Sequence, residues 1–170
     1  MRKIISGFAA SLDGYINGPN GEIDWILIDK EIDFAEEMKR FDTFLYGRIS
    51  YEEVLKFGIQ EMPGTKNYVF STTLEEADKN FILVKENVEQ VVKELKEQDG
   101  KDISLFGGAK LLAALINMKL MDEISVAVIP VLLGLGKPMV DVLKNNISLE
   151  LLNTKTYSNG TVRLTYNVRY

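Results

Sequence analysis

The sequence predicts an α/β fold in which a mostly parallel central sheet carries helices on both faces. Short apolar segments alternate with amphipathic helical patterns, which is typical of parallel strands joined by crossover helices. The final extended segments surround Ser158-Asn159-Gly160, a strong hairpin signal that adds antiparallel strands at an edge of the sheet. Because the chain has 170 residues and no repeated or linker-like segment, residues 1–170 are expected to form a single domain.

The strands and helices follow from the apolar pattern along the chain. Six segments have the length and composition of buried strands: residues 3–10, 43–46, 68–70, 81–84, 103–106 and 124–133. Four helical patterns lie among them: residues 29–41, 49–57, 88–95 and 110–120. The clearest helix places Val88, Val91, Val92 and Leu95 on one face, and Gly100 follows its end. Two extended runs within residues 148–170 complete the predicted sheet.

Composition excludes several classes of function. The chain has no cysteine and no histidine, so it has no disulfide, thiolate nucleophile, Ser-His triad or imidazole metal ligand, and we expect no metal site. A net charge of −5 gives no basic field for a nucleic acid. The first apolar segment is too short for a signal sequence or a membrane span, so we expect a cytoplasmic protein with no membrane partner.

Three predicted strand ends carry residues suited to phosphate binding. Gly107-Gly108 lies between a strand and a helix, where backbone N–H groups and the helix dipole favour an anion, although two glycines also suit a simple tight turn. Gly47-Arg48 occupies the same position after another strand, and an arginine can offer a planar donor fork to a phosphate or lie free on the surface. Ser71-Thr72 ends a third strand and supplies hydroxyl groups or caps a turn.

Proton chemistry must come from a carboxyl group, a tyrosine, a lysine or water. Asp33 lies on a predicted helix between Ile32 and Phe34, and burial in a cleft would raise the pKa of its carboxyl toward that of a proton donor. Most helical carboxylates are solvated, and several neighbours compete for the role: Asp29, Glu31, Glu36 and Glu37. Asp13 is better explained as a turn former.

A set of short motifs extends over nearly the whole chain. In order they are Ala9-Ala10-Ser11-Leu12-Asp13-Gly14, Gly21-Glu22, Trp25-Ile26, Asp42-Thr43-Phe44-Leu45-Tyr46-Gly47-Arg48-Ile49-Ser50-Tyr51-Glu52, Phe106-Gly107-Gly108-Ala109, Leu111-Leu112, Asp122-Glu123-Ile124, Pro130 and Leu133-Gly134-Leu135-Gly136-Lys137-Pro138. This order resembles the dihydrofolate-reductase-like superfamily, and specifically the reductase domain of bacterial riboflavin biosynthesis. The resemblance implies a three-layer fold with about eight strands and flanking helices.

The resemblance also implies an NADPH site. The residues that it places against the cofactor are Ala9, Ala10 and Ile16 near the nicotinamide, with Asn17 across the opening loop; Gly47, Arg48 and Ser50 at the phosphates; Arg48 and Ser71 near the 2′-phosphate; and Gly107, Gly108, Ala109, Lys110 and Leu111 around the pyrophosphate. The acid on the first helix that faces the substrate in this family best matches Asp33, with Glu31 or Asp29 as alternatives.

These observations predict an NADPH-dependent oxidoreductase that transfers hydride to a small nitrogen heterocycle, resembling 5-amino-6-(5-phosphoribosylamino)uracil reductase. No deaminase domain precedes the chain, and basic residues for a ribose phosphate are not evident, so a stand-alone reductase is expected. The alternatives are a dihydrofolate-reductase-like pterin reductase and a non-catalytic NADPH-binding module. The apolar run at residues 124–135 and the terminal hairpin favour a homodimer.

Overall fold

The computed structural model describes residues 1–58 and 64–170. These residues contain ten strands and four helices. In chain order the elements are β1 (Ile4–Ser11), β2 (Tyr15–Asn17), α1 (Phe34–Met38), β3 (Phe41–Gly47), α2 (Arg48–Lys56), β4 (Lys66–Phe70), β5 (Ile82–Val84), α3 (Val88–Glu97), β6 (Asp102–Gly107), α4 (Ala109–Asn117), β7 (Glu123–Ile129), β8 (Lys137–Pro138), β9 (Ser148–Thr156) and β10 (Val162–Arg169).

Eight of the strands form one sheet in the order β5-β4-β3-β6-β1-β7-β10-β9. The six strands from β5 to β7 are parallel, whereas β10 runs antiparallel to both β7 and β9. The short strands β2 and β8 pair with each other outside this sheet. The prediction of a mostly parallel sheet with a C-terminal antiparallel hairpin is therefore confirmed.

Helices cover the two faces of the sheet unequally. Alternate side chains of a strand point to opposite faces. On β3, Phe44 and Tyr46 pack with Tyr51 and Val54 of α2 on one face. Leu45 belongs to a larger core on the other face, which is completed by α3 and α4. The result is a three-layer structure in which α2 and α4 begin at the carboxyl ends of adjacent strands.

An ionic network closes the opposite, amino-terminal edge of the sheet. The buried guanidinium of Arg2 donates to Asp42 and Thr43. The buried ammonium of Lys96 donates to the Asp122 carboxylate at 2.5 Å and to the Leu120 carbonyl at 3.0 Å. Because each of these buried charges has a partner, the network has a structural role. The opposite, carboxyl edge of the sheet is therefore the edge to examine for a functional site.

The first helix differs from the prediction. A helix was predicted over residues 29–41, but α1 contains only Phe34–Met38. The residues before it form turns, because the Asp29 carboxylate accepts hydrogen bonds from the Glu31 N–H and from the hairpin turn near the C terminus. The predicted strand over residues 124–133 is also shorter and ends at Ile129, since Pro130 has no N–H to continue the ladder.

No helix among residues 1–58 and 64–170 combines the length and the apolar character that crossing a membrane requires.

Candidate functional site

Two helix N-termini meet at the centre of the carboxyl edge. Strands β3 and β6 are paired, with Leu45 opposite Leu105 and Tyr46 opposite Gly107. Helix α2 follows β3 directly, and α4 follows β6 after one residue, Gly108. The N-cap residues are glycines, so no side chain caps either helix. The first N–H groups of both helices are therefore without a side-chain cap, and the two dipoles favour an anion at this point.

Glycines bring the two helix starts close together. A Cβ atom at Gly47 would lie 3.5 Å from the backbone nitrogen of Gly108 and 3.8 Å from the Cβ of Leu111. At Gly107 it would lie 2.9 Å from the Ser50 Oγ, and φ there is +139°, a conformation that favours glycine. Five residues predicted at the cofactor phosphates therefore lie together. We call this group, Gly47, Ser50, Gly107, Gly108 and Leu111, the glycine cradle.

Arg48 and Ser71 follow adjacent strand ends, because Gly47 is in register with Phe70. The Arg48 guanidinium is partly exposed and donates to the Glu52 carboxylate at 2.6 Å. The Ser71 hydroxyl accepts the N–H groups of Thr73 and Leu74 at 3.2 and 3.1 Å and so forms a turn. An exposed ion pair of this kind contributes little to stability, so Arg48 can exchange Glu52 for another anion.

Strand β1 places the predicted nicotinamide residues beside the glycine cradle. β1 lies between β6 and β7, and its residues Ala9 and Ala10 are in register with Ala127 and Val128. Ala10 is buried and Ala9 is half-buried. Ile16 is half-buried on β2, while Ala109 and Lys110 are the first two residues of α4.

The three candidate proton donors have different environments. Asp33 is exposed and is the N-cap of α1, where its carboxylate accepts the Glu36 N–H at 3.0 Å. It lies before the helix, and the apolar surroundings expected there are absent. The Asp33-x-x-Glu36 spacing is typical of a capping box and could have revealed this position. Glu31 is also exposed, and its N–H donates to Asp29.

Asp29 joins the opening loop, residues 18–31, to the hairpin turn, residues 157–161. Its buried carboxylate accepts the Ser158 hydroxyl at 2.7 Å and the Asn159 N–H at 3.0 Å. The Asn159 amide in turn donates to the Leu27 carbonyl at 2.8 Å. Hydrogen bonding, first from the Glu31 N–H and then from Ser158, lowers the pKa of Asp29 and keeps it ionised. Asp29 is thus a structural anchor between two distant segments.

A basic residue that the sequence analysis missed lies on the same sheet face as Ala9. Arg163 of β10 is in register with Ala127, which is in register with Ala9. Its guanidinium donates to the Glu37 carboxylate at 2.5 Å and lies over the Tyr157 ring, 5.5 Å from the centroid. No basic residue for a ribose phosphate was evident from the sequence, and Arg163, the basic residue on this sheet face, is already paired with Glu37. The alternation of Val162, Leu164 and Tyr166 with polar residues was the signal that Arg163 faces away from the core.

Among residues 1–58 and 64–170, no three acidic side chains are grouped closely enough to hold a metal ion.

Solved structures establish the class of fold. A putative riboflavin biosynthesis protein from Shewanella sp. PV-4 matches with a TM-score of 0.86 and 25% identity, covering 99% of each chain. Dihydrofolate reductase from Enterococcus faecalis, complexed with NADP(H), matches with a TM-score of 0.74 and 17% identity over 99% of this chain and 97% of that one. A deaminase/5-amino-6-(5-phosphoribosylamino)uracil reductase from Thermotoga maritima has a TM-score of 0.71 and 16% identity, covering 98% of this chain and 56% of that one. The fold is dihydrofolate-reductase-like.

Sequence comparisons establish the family. Residues 2–163 match the RibD C-terminal domain. The uncharacterized protein YyaP of Bacillus subtilis is 39% identical over 98% of this chain and 95% of that protein, and YwjB of the same organism is 31% identical over 97% of both. The chain belongs to the RibD C-terminal domain family, as its motifs predicted.

Proposed function

We propose that the chain is an NADPH-dependent reductase that transfers hydride to a small nitrogen heterocycle. The observation that carries the proposal is the glycine cradle, where two helix N-termini that lack a side-chain cap come close together. Such an arrangement suits the pyrophosphate of a dinucleotide, because backbone N–H groups can approach its oxygens closely. The cradle residues therefore fit the cofactor that the family resemblance implies.

The residues at the carboxyl edge would then bind different parts of the cofactor. The cradle would hold the phosphates, with Ala109 and Lys110 at the start of α4, while Arg48 and Ser71 would bind a 2′-phosphate and so favour NADPH over NADH. Ala9, Ala10 and Ile16 would position the nicotinamide. When bound there, NADPH would supply a hydride for the carbon of a ring C=N bond and become NADP⁺, and the ring nitrogen would need a proton.

The source of that proton is the second part of the proposal. Asp33 is the best match to the substrate-facing acid that the family resemblance implies, and it is open to solvent, so its carboxyl group can be reprotonated after each turnover. We propose that Asp33 protonates the ring nitrogen directly or through one water molecule. Glu31 is the exposed alternative, whereas the Asp29 carboxylate is held ionised by its hydrogen bonds.

The test is a pair of measurements with the full chain. Calorimetry with NADPH and NADH measures cofactor binding, and loss of the reduced-nicotinamide absorbance measures turnover with dihydrofolate or with the phosphoribosylaminouracil intermediate of riboflavin biosynthesis. Binding of NADPH together with oxidation in the presence of one of these acceptors is the expected result. Absence of NADPH binding at millimolar concentration would overturn the proposal.

A second candidate is a non-catalytic NADPH-binding module. It is favoured by the environments of the three candidate acids: Asp33 and Glu31 are exposed, and the buried Asp29 carboxylate is held by hydrogen bonds to the protein. NADPH binding without oxidation by any of a panel of pterins and aminouracils would support this alternative over the reductase.

We also propose that two copies associate through the C-terminal hairpin. Strand β9 is an edge strand whose residues are all exposed, and it carries Leu149, Leu151 and Leu152 with 46%, 55% and 48% of their surfaces accessible. An open edge with this much apolar surface is expected to pair. Light scattering should report a dimer at micromolar concentration, and Leu151→Lys should give a monomer. A monomeric wild-type protein would contradict the proposal.

A cytoplasmic location stays a prediction from the sequence.

A further inference from the structure

A cavity of about 320 Å³ lies between the opening loop and the hairpin turn. Its size is within the range of small-molecule pockets. Its lining includes Ile129, the last residue of β7, which is in register with Ser11, the residue after Ala10. The residues that line it are Asp24, Trp25, Leu27, Ile129, Pro130, Val131, Asn159 and Thr161.

Thr161 has an unused hydrogen-bonding group at this cavity. The residue is 1% exposed, and its Oγ1 is the one buried side-chain oxygen or nitrogen of the described residues without a hydrogen-bond partner. Its backbone is satisfied, because its N–H donates to the Asn159 side chain at 3.0 Å and its carbonyl accepts the Tyr157 N–H at 2.9 Å. A buried hydroxyl without a partner is unfavourable. A ligand in the cavity can supply the missing partner once the side chain rotates.

The remaining walls indicate what kind of ligand fits. Trp25, Leu27, Ile129 and Pro130 give apolar surfaces, and the indole is oriented by its N–H, which donates to the Glu22 carbonyl at 3.1 Å. Asp24 is the single ionisable residue in the lining, and it is acidic. Arg163, a cation of β10 that does not line the cavity, is already paired with Glu37. A flat ring with hydrogen-bonding groups is favoured here, and a negatively charged one is disfavoured.

The cavity also lies where a hydride acceptor is needed. Neighbouring strands are about 4.8 Å apart, so the ends of β6 and β7, with β1 between them, are separated by about 10 Å. A cofactor with its phosphates in the glycine cradle and its nicotinamide at Ala9 and Ala10 would direct its reactive ring toward this cavity. We propose that the cavity binds the acceptor, and that the acceptor is a flat uncharged ring that hydrogen-bonds to the Thr161 hydroxyl rather than a phosphorylated compound. This inference rests on the proposed reductase function.

Trp25 provides a direct readout, because it is the single tryptophan of the chain. Pterin and pterin-6-carboxylate are a matched pair of probes that differ by one negative charge. Pterin should quench the Trp25 fluorescence at saturating concentration, and pterin-6-carboxylate should bind more weakly. Thr161→Val keeps the shape but removes the hydroxyl and should weaken pterin binding by about 2- to 10-fold. Thr161→Ser keeps the hydroxyl and should bind pterin nearly as the wild type does.

The outcomes separate this inference from the proposed function. Equal pterin affinity in wild type and Thr161→Val, tighter binding of the charged probe, or no quenching of Trp25 would each overturn the inference. Thr161→Val should melt at the same temperature as wild type or higher, since it removes an unpartnered group, so weaker binding would not reflect unfolding. Calorimetry with NADPH tests the cradle independently. Cofactor binding without pterin quenching refutes the acceptor cavity alone. Quenching without cofactor binding refutes the reductase proposal, and with it the acceptor role, and leaves only a cavity that binds a flat ring.

Discussion

The glycine cradle and the proposed acceptor side are built by different kinds of contact. The acceptor side comprises the opening loop, α1 and the hairpin turn. Each cradle residue lies within three residues of a strand end or a helix start, and pairing of β3 with β6 brings these ends together. The acceptor side depends on contacts between distant segments, such as the 2.7 Å hydrogen bond between Asp29 and Ser158, which are 129 residues apart. Local sequence patterns can therefore predict which residues form the cradle, but they cannot predict which segments meet on the acceptor side.

The two regions also differ in how their polar groups are used. In the cradle the helix N-termini have no side-chain cap, so they are available to a ligand. On the acceptor side the carboxylates of Asp29, Asp33 and Glu37 each accept a hydrogen bond or an ion pair from the protein itself. The N–H groups of the cradle remain available to an external anion, whereas the carboxylates of the acceptor side bind other parts of the protein.

The largest expected effect is the loss of turnover on changing Asp33. This change tests whether a carboxylate of the acceptor side also serves catalysis. Asparagine is as good an N-cap as aspartate, so Asp33→Asn should keep α1 and NADPH binding but lower turnover by about 10²- to 10⁴-fold if general acid catalysis is lost. The wild-type rate should fall as the pH rises, because the donor must be protonated. Steady-state kinetics across a pH series measures both effects.

Asp33→Ala is the control for the structural role of the same residue, because alanine caps a helix poorly and should also lower the melting temperature. A full rate and an unchanged pH profile in Asp33→Asn would remove Asp33 as the donor. Glu31→Gln would then test the exposed alternative.

A change at Gly108 tests the cradle. Its φ of −112° is one that other residues adopt, and the branched side chain of Gly108→Val would stand where a phosphate must approach. Loss of two charge-assisted hydrogen bonds lowers affinity by about 100-fold or more, which calorimetry with NADPH would detect. Gly107→Ala provides a contrast, because its positive φ and its closeness to Ser50 predict lost stability as well. Normal NADPH affinity in folded Gly108→Val would mean that the two glycines only form a turn.

A smaller effect is expected at Arg48, which tests cofactor choice within the same region. Arg48→Ala should lower the preference for NADPH over NADH by about tenfold, the effect of losing one charge-assisted contact to the 2′-phosphate. Glu52→Gln is the matched control, because it frees the guanidinium without removing it and should leave the preference unchanged or higher. Titration of both cofactors decides the matter, and an unchanged ratio in Arg48→Ala would exclude this role.

The fold could be predicted in most of its elements because its signals are local. The strand at residues 3–10 and the helix beginning at Val88 were predicted within one or two residues of the observed bounds. The first helix was not, because its apolar spacing at Ile32, Ala35 and Met38 gave no indication that Asp29 is held in a turn. The capping role of Asp33 was visible in the sequence, whereas the partners of Asp29 required the hairpin turn to be placed in space.

The smallest effect concerns stability at Asp29, and its sign follows from hydrogen bonding. The bonds from Glu31 and Ser158 hold the pKa of Asp29 below its ordinary value of 3.8, so the folded state favours the ionised carboxylate. This contribution is fully present above the pKa of the unfolded chain and is lost as the pH falls through the lower folded value. Asp29→Asn should therefore melt at a modestly lower temperature at pH 7, and the difference from wild type should narrow below about pH 3.8. Glu31→Gln, an exposed neighbour, should show no such difference. A constant gap between wild type and Asp29→Asn down to pH 2 would mean that the anchor does not depend on the charge of Asp29, and the acceptor side would then be held by Asn159 and Leu27 instead.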